Sequence, residues 1–175
     1  MDFSPRMLQY AQKRLERQRR SQNDLGPVEF IEADAQRLPF PDESFDAVTI
    51  AYGLRNLPDP IQGLEEMFRV TKEGGRVVVL DFAVPKGPIW RKLYLGYLRL
   101  WIPVLGWLVA RDWEAYAYIV VSLLHFPSPS TLCAAMQRFG AQTISLKSPL
   151  WGGMTLLCGV KEKTSLLQKG KGMGF

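Results

Sequence analysis

Residues 51–59, Ala-Tyr-Gly-Leu-Arg-Asn-Leu-Pro-Asp, carry unusual chemical equipment for so short a stretch. Tyr52 offers a phenol, Gly53 a flexible link, Arg55 a fixed positive fork and Asn56 an amide. The stretch follows an apolar strand-like run, residues 45–50, and precedes an amphipathic helix-like run that begins near Pro60. In open α/β sheets ligands bind beyond the carboxyl ends of the strands, so groups and position together read as a site. The other reactive residue types are scarce. His125 is the only histidine, and Cys133 and Cys158 are the only cysteines. That count excludes a zinc-ribbon metal site and gives no disulfide framework, so no metal is expected and a reducing compartment is the default. His125 stands at a helix end before Phe126-Pro127 and reads as structural rather than as a general base.

The elements that must position the loop follow from periodicity and turn residues. Ser4 can N-cap a first helix with Pro5 at its first position, and Met7, Leu8, Ala11 and Leu15 form its apolar stripe. Gly26-Pro27 breaks the chain, residues 28–31 read as a short strand, and residues 32–42 as loop and turn. After the strand at 45–50, Asp59-Pro60 starts a second helix with Ile61, Leu64 and Phe68 on one face and Gly74-Gly75 as its stop. Residues 76–82 form a continuous apolar run of the kind found in a parallel strand covered on both faces. Strand, helix and strand at this spacing predict a βαβ sheet, hence an α/β fold. Residues 93–110 approach the length of a membrane span, but Arg99, Pro103 and Gly106 interrupt them. A span wants about 20 apolar residues with few or no charges, so a helical cover over an apolar pocket, touching a bilayer surface, is the better reading. Another helix follows Ser128-Pro129, and two terminal strands at 142–147 and 154–160 complete the pattern. The expected organisation is one domain over 1–160, with a helical cover at about 86–126, and a basic, disordered tail over 161–175.

Composition agrees with a globular domain: 47% of residues are hydrophobic and 22% charged, which argues against disorder. The formal charge of +5 gathers in the first helix and the tail. Such a surface suits nucleic acid or an anionic membrane, yet a solvated helix face and a frayed tail account for it. No aromatic platform is interleaved with the N-terminal charges, so nucleic acid is not an expected partner.

Taken together, Asp2-Phe3-Ser4-Pro5-Arg6-Met7-Leu8 and Asp34-Ala35 followed by Leu38-Pro39-Phe40 resemble the class I S-adenosylmethionine-dependent methyltransferases. Gly53-Leu54-Arg55-Asn56 narrows the resemblance to the C-methyltransferases of ubiquinone and menaquinone biosynthesis. So do Asp81-Phe82 with Pro85, residues 103–106, residues 116–122 and Phe126-Pro127. The resemblance implies a Rossmann-like sheet with helices on both faces and S-adenosylmethionine as cofactor. In it Asp2 grips the ribose hydroxyls, Asp34 and Ala35 recognise adenine, and Ala51 stands where several relatives have a cofactor-touching serine. Arg55 and Asn56 are then the catalytic residues, stabilising the phenolate that forms when a quinol ring carbon is methylated. Arg55 stays protonated, so a water or Asp59 would accept the proton. Tyr52, Tyr94, Trp101 and Tyr118 would bind the substrate, a prenylated quinol, either demethylmenaquinol or a 2-polyprenyl-6-methoxy-benzoquinol. The tail of that substrate would lie in the cover, each buried CH2 contributing about 0.8 kcal/mol. The same resemblance implies a cytoplasmic protein peripheral on the inner face of the membrane, as a homodimer or in a quinone-biosynthesis complex.

The chain departs from the family pattern at its beginning. The glycine-rich cofactor loop should lie about 20 residues before the ribose-binding acid, and only Met1 precedes Asp2. The expectation is an N-terminally truncated chain, a fragment or a misplaced start, that lacks the first strand, the glycine loop and most of the second strand. A competing reading is an inactive methyltransferase-like partner or scaffold that kept the lid and lost the cofactor site. A nicotinamide oxidoreductase, which also uses an acid for ribose, lacks a Tyr-x-x-x-Lys pair in the second half.

Overall fold

The computed structural model describes residues 1–21, 26–85, 87–110, 121–149 and 152–163. In chain order these form α1 (Pro5–Ser21), β1 (Phe45–Ala51), a 3-10 turn (Leu54–Asn56), α2 (Pro60–Val70), β2 (Thr71–Phe82), α3 (Pro88–Ala110), α4 (Pro129–Arg138), β3 (Ala141–Lys147) and β4 (Met154–Lys161). The strands make one mixed sheet in the order β1-β2-β4-β3. β1 and β2 are parallel, joined through α2 as a parallel pair requires. β4 runs antiparallel to both β2 and β3. Ile50 pairs with Val79 and Ala51 with Leu80. This register brings the carboxyl ends of β1 and β2 side by side, so the loop after Ala51 and the Asp81-Phe82 pair leave the sheet at the same end.

Alternation sorts β2 into two faces. Val77, Val79 and Asp81 are buried, while Val78, Leu80 and Phe82 are half-buried. The buried face packs with Leu54, Leu64, Phe68, Leu132, Met136 and Leu157 into the main core between the sheet, α2 and α4. Burying each such side chain contributes about 1.5–3 kcal/mol. Gly159 of β4 allows this close packing, since a Cβ there would meet Phe68 Cζ at 3.0 Å and Met136 Sδ at 3.3 Å. On the other face a smaller cluster joins Phe82, Val84 and Tyr94 to Leu98 of α3 and Leu123.

The expected α/β order is present, with local differences. α2 stops at Val70 rather than at Gly74-Gly75 because Thr71 is extended and its hydroxyl donates to Met67 O at 2.6 Å. Gly74, at φ +74°, instead bends the start of β2, in a stretch where the β1–β2 register shifts. The expected strand at 28–31 does not form; in its place a single parallel bridge joins Asp2 to Glu32, just beyond it. A strand persists only where a neighbour pairs along it, and Asp2 supplies two backbone hydrogen bonds, to Ile31 O and from Ala33 N–H. α3 runs as one helix through Pro103 and Gly106, and among the described residues no helix is long and apolar enough to cross a membrane. The segment at 111–120 and the tail from 164 lie outside the described residues.

Asp59 starts α2. Its Oδ1 accepts from Ile61 N at 2.9 Å and Gln62 N at 3.1 Å. An N-cap of this kind contributes about 1 kcal/mol. Asp59→Ala should therefore lower unfolding stability by about 1 kcal/mol at unchanged m-value in a urea titration; an unshifted midpoint would show that the cap does not hold the helix start.

Candidate active site

Tyr52 begins the loop in the left-handed region at φ +55°, a conformation uncommon for a bulky residue without support. The support is local and comes from the groups first read as chemical equipment. Tyr52 N donates to Leu80 O at 2.8 Å. Its carbonyl accepts from Arg55 Nη1 at 3.1 Å and from Asn56 Nδ2 at 3.2 Å. The 3-10 turn over Leu54–Asn56 then follows, with Leu54 anchored at 0% exposure in the core.

Arg55 is tied to the sheet by Asp81. The Asp81 carboxylate accepts from Arg55 N through Oδ2 at 3.1 Å, and from Arg55 Nη1 and Phe82 N through Oδ1 at 3.1 and 2.8 Å. The two side chains are 8% and 1% exposed. The guanidinium lies over the Phe82 ring at 5.2 Å, and the Tyr52 ring packs on the same ring at 5.0 Å. Tyr94 reaches this end from α3, its hydroxyl donating to Gly153 O at 3.3 Å. Burial raises the Tyr94 pKa while the Arg55 charge lowers it, so guanidinium and phenol share one electrostatic environment.

Of the residues singled out in the sequence, Tyr52, Arg55 and Tyr94 therefore gather around Phe82, and Asn56 joins them through the Tyr52 carbonyl. Arg55 Nε is buried with no partner among the described residues, and the guanidinium hydrogen bonds above are all made by Nη1. Trp101 lies on α3. Tyr118 lies outside the described residues.

The acidic candidates form a second group. The Asp2–Glu32 bridge sets Asp2 beside the Asp34 loop. Asp2 Oδ1 accepts from Ser4 N and Asp34 Oδ1 from Gln36 N, both at 2.9 Å, so each carboxylate keeps one oxygen outside these turns. Gln36 then joins this loop to the start of α2: its Oε1 accepts from Asp59 N at 2.9 Å, and its carbonyl accepts from Gln62 Nε2 at 3.2 Å. Ala35 is half-buried there and Ala51 is exposed at the end of β1. Farther along, Glu66 and Arg69 strap residues 38–42 to α2, and the bond to Arg69 is the main reason the Glu66 pKa is lowered. Two carboxylate oxygens beside an extended backbone suit a vicinal diol and an exocyclic amine, so the residues present fit the ribose and adenine of S-adenosylmethionine.

Sequence reasoning underused three residues. Asp81 and Phe82 were read only as part of a family pattern, although an acid inside an otherwise apolar strand run is itself a signal. Gln36 gave no signal, since its role depends on which helix start it meets.

The model of the ubiE/COQ5 methyltransferase family matches residues 1–161. A demethylmenaquinone methyltransferase of Listeria welshimeri is 37% identical over 163 residues, covering 93% of this chain and 67% of the relative. A ubiquinone/menaquinone biosynthesis C-methyltransferase of Hahella chejuensis is 43% identical over 134 residues, 77% of this chain and 54% of the relative. The chain thus spans between about half and two thirds of the length of these relatives. Among solved structures, a Haloferax volcanii methyltransferase in complex with the Trm112 methyltransferase activator has a TM-score of 0.62 at 17% identity, covering 92% of this chain and 70% of that one. An S-adenosylmethionine-dependent methyltransferase of Thermotoga maritima has a TM-score of 0.58 at 18% identity, covering 91% and 71%. At these identities the structures share the fold.

Burial raises the Asp81 pKa, opposed by the N–H groups of Arg55 and Phe82 and by the Arg55 charge. An acid with a raised folded-state pKa contributes stability that is fully present below its unfolded value, about 3.9, and lost as pH rises through the folded value. Asp81→Asn has no such titration. Its stability relative to the wild type should therefore increase as pH is raised from about 4 towards neutrality. Paired urea titrations across that range check this, and a difference that stays flat or declines would contradict it.

Proposed function

The chain belongs to the ubiE/COQ5 methyltransferase family, and on that premise we propose that it takes part in C-methylation of a prenylated quinol, demethylmenaquinol or a 2-polyprenyl-6-methoxy-benzoquinol. The observation that carries this reading is the convergence of Arg55, Tyr52 and Tyr94 on Phe82, with Asn56 on the Tyr52 carbonyl, at the carboxyl ends of β1 and β2. S-adenosylmethionine, the cofactor of this family, supplies an electrophilic methyl group on a sulfonium.

The roles of the protein groups follow from what each can still offer. Asp2, Asp34 and Ala35 would hold the nucleoside part of the cofactor, with Ala51 contributing backbone rather than a hydroxyl. Methylating a ring carbon requires an electron-rich ring, and a quinol becomes one as it loses a phenolic proton. The fixed positive charge of Arg55 would lower the energy of that phenolate, the kind of preorganised stabilisation that is worth about 100-fold or more in rate. Asn56 and Arg55 also keep the loop in its left-handed start. Tyr52 and Tyr94 offer ring faces to a flat substrate. Asp59 is committed to capping α2, which favours water as the proton acceptor.

The substrate class also fits α3. Ile89, Trp90, Leu93, Tyr97 and Leu100 are all more than half exposed, and Arg91 and Lys92 beside them are exposed too. An apolar helix face bordered by cations suits the interface of an anionic bilayer, where a polyprenyl quinol would reside. Leu93→Glu should weaken co-sedimentation with phosphatidylglycerol vesicles while leaving circular dichroism unchanged; equal binding by both proteins would remove the membrane contact from this reading.

Calorimetric titration with S-adenosylmethionine, followed by mass analysis of each quinol after incubation, tests the enzyme reading. Micromolar binding and a product heavier by one methylene support it and identify the acceptor. No heat at millimolar cofactor favours a partner or scaffold role.

A further inference from the structure

Asp81 is 0% exposed and touches no group assigned above to the cofactor, yet its carboxylate has an unusual set of partners. It accepts the main-chain N–H and the guanidinium of Arg55 together, at 3.1 Å each, and the N–H of Phe82 at 2.8 Å. The same Nη1 that meets Asp81 also meets the Tyr52 carbonyl. One carboxylate therefore fixes both ends of Arg55 and, through Nη1, the left-handed residue that opens the loop. Across the antiparallel pair Asp81 stands opposite Thr155, whose hydroxyl is buried without a partner among the described residues. The guanidinium is the only cation with a hydrogen bond to Asp81 among the described residues.

We propose that Asp81 is the positioning residue of this site. It holds the Arg55 guanidinium in one orientation over Phe82, so that Nη2 is preset for an anionic oxygen, and it acts on the substrate only through Arg55. The proposal rests on the reading of Arg55 as the phenolate-stabilising group. A guanidinium on a surface loop would sample many rotamers, and a donor that must reorganise at the moment of reaction stabilises charge poorly. With Asp81 at 1% exposure, the anchor itself is fixed by the sheet.

Two measurements on the full chain test this. The first is methyl transfer from S-adenosylmethionine to demethylmenaquinol by wild type, Asp81→Asn, Arg55→Gln and the double variant. Asp81→Asn should lower kcat by about 100-fold with KM for S-adenosylmethionine unchanged, and Asp81→Glu should recover part of the loss. The double variant should be no slower than Arg55→Gln alone, since groups acting as a unit are not additive. Losses that multiply, or an Asp81→Asn enzyme as fast as wild type, overturn the proposal.

The second measurement needs no activity. Trypsin cleaves after arginine, and Arg55 is protected as long as its N–H and guanidinium are held. Native-state digestion should cut after Arg55 about tenfold faster in Asp81→Asn, with cleavage after Lys72 and Arg76 unchanged. Unchanged cleavage after Arg55, or equal acceleration at all three sites, overturns the positioning role. If the wild type transfers no methyl group to either quinol, the functional reading of Arg55 fails, and the digestion alone decides whether Asp81 positions it.

Discussion

A carboxylate at the end of a core strand and a guanidinium from the neighbouring loop have both left water at this end of the sheet, and neither can do so alone. Removing one partner of a buried ion pair costs about 3–5 kcal/mol, because the other charge is left unpaired. Asp81 and Arg55 meet at 3.1 Å with 1% and 8% of their side chains exposed, and the loop after β1 hangs from that contact. It bonds β2 to the loop after β1. It supports the left-handed Tyr52, and it lays a cation on Phe82. Packing holds the same arrangement from below through Leu54.

This dependence explains why the loop is both well ordered and chemically incomplete. Nη1 and the Arg55 main-chain N–H are spent on structure, as is one donor of Asn56. What the proposed reading leaves for a substrate is narrow: the rest of one guanidinium beside the rings of Tyr52 and Tyr94. The neighbouring acids are organised separately, by the Asp2–Glu32 bridge and by Gln36 at the start of α2, so the two groups of candidate residues rest on different supports.

Much of this could be read from the residues. The βαβ order, the Asp59-Pro60 helix start, the terminal strands and the loop at 51–59 all follow from periodicity and turn chemistry, and the structure has them. The Gly-Leu-Arg-Asn motif pointed to the family that the comparisons show. The inward commitments of Arg55 and Asn56 were not legible, because the acceptors they use, the Asp81 carboxylate and the Tyr52 carbonyl, are fixed by strand register and by a positive φ. The end of α2 was misplaced for a similar reason. Gly74-Gly75 is a strong helix stop in isolation, but the Thr71 hydroxyl on Met67 O ends the helix first. The strand at 28–31 had the right composition, yet pairing is a property of neighbours and leaves only one bridge, just beyond it.

Amide hydrogen exchange at Arg55 in the wild-type protein tests the central claim most directly, since that N–H donates to Asp81 rather than to any backbone carbonyl. The account predicts protection close to that of Val79 in the core of β2, because opening it exposes a buried ion pair. Exchange at the rate of an unstructured loop would contradict it.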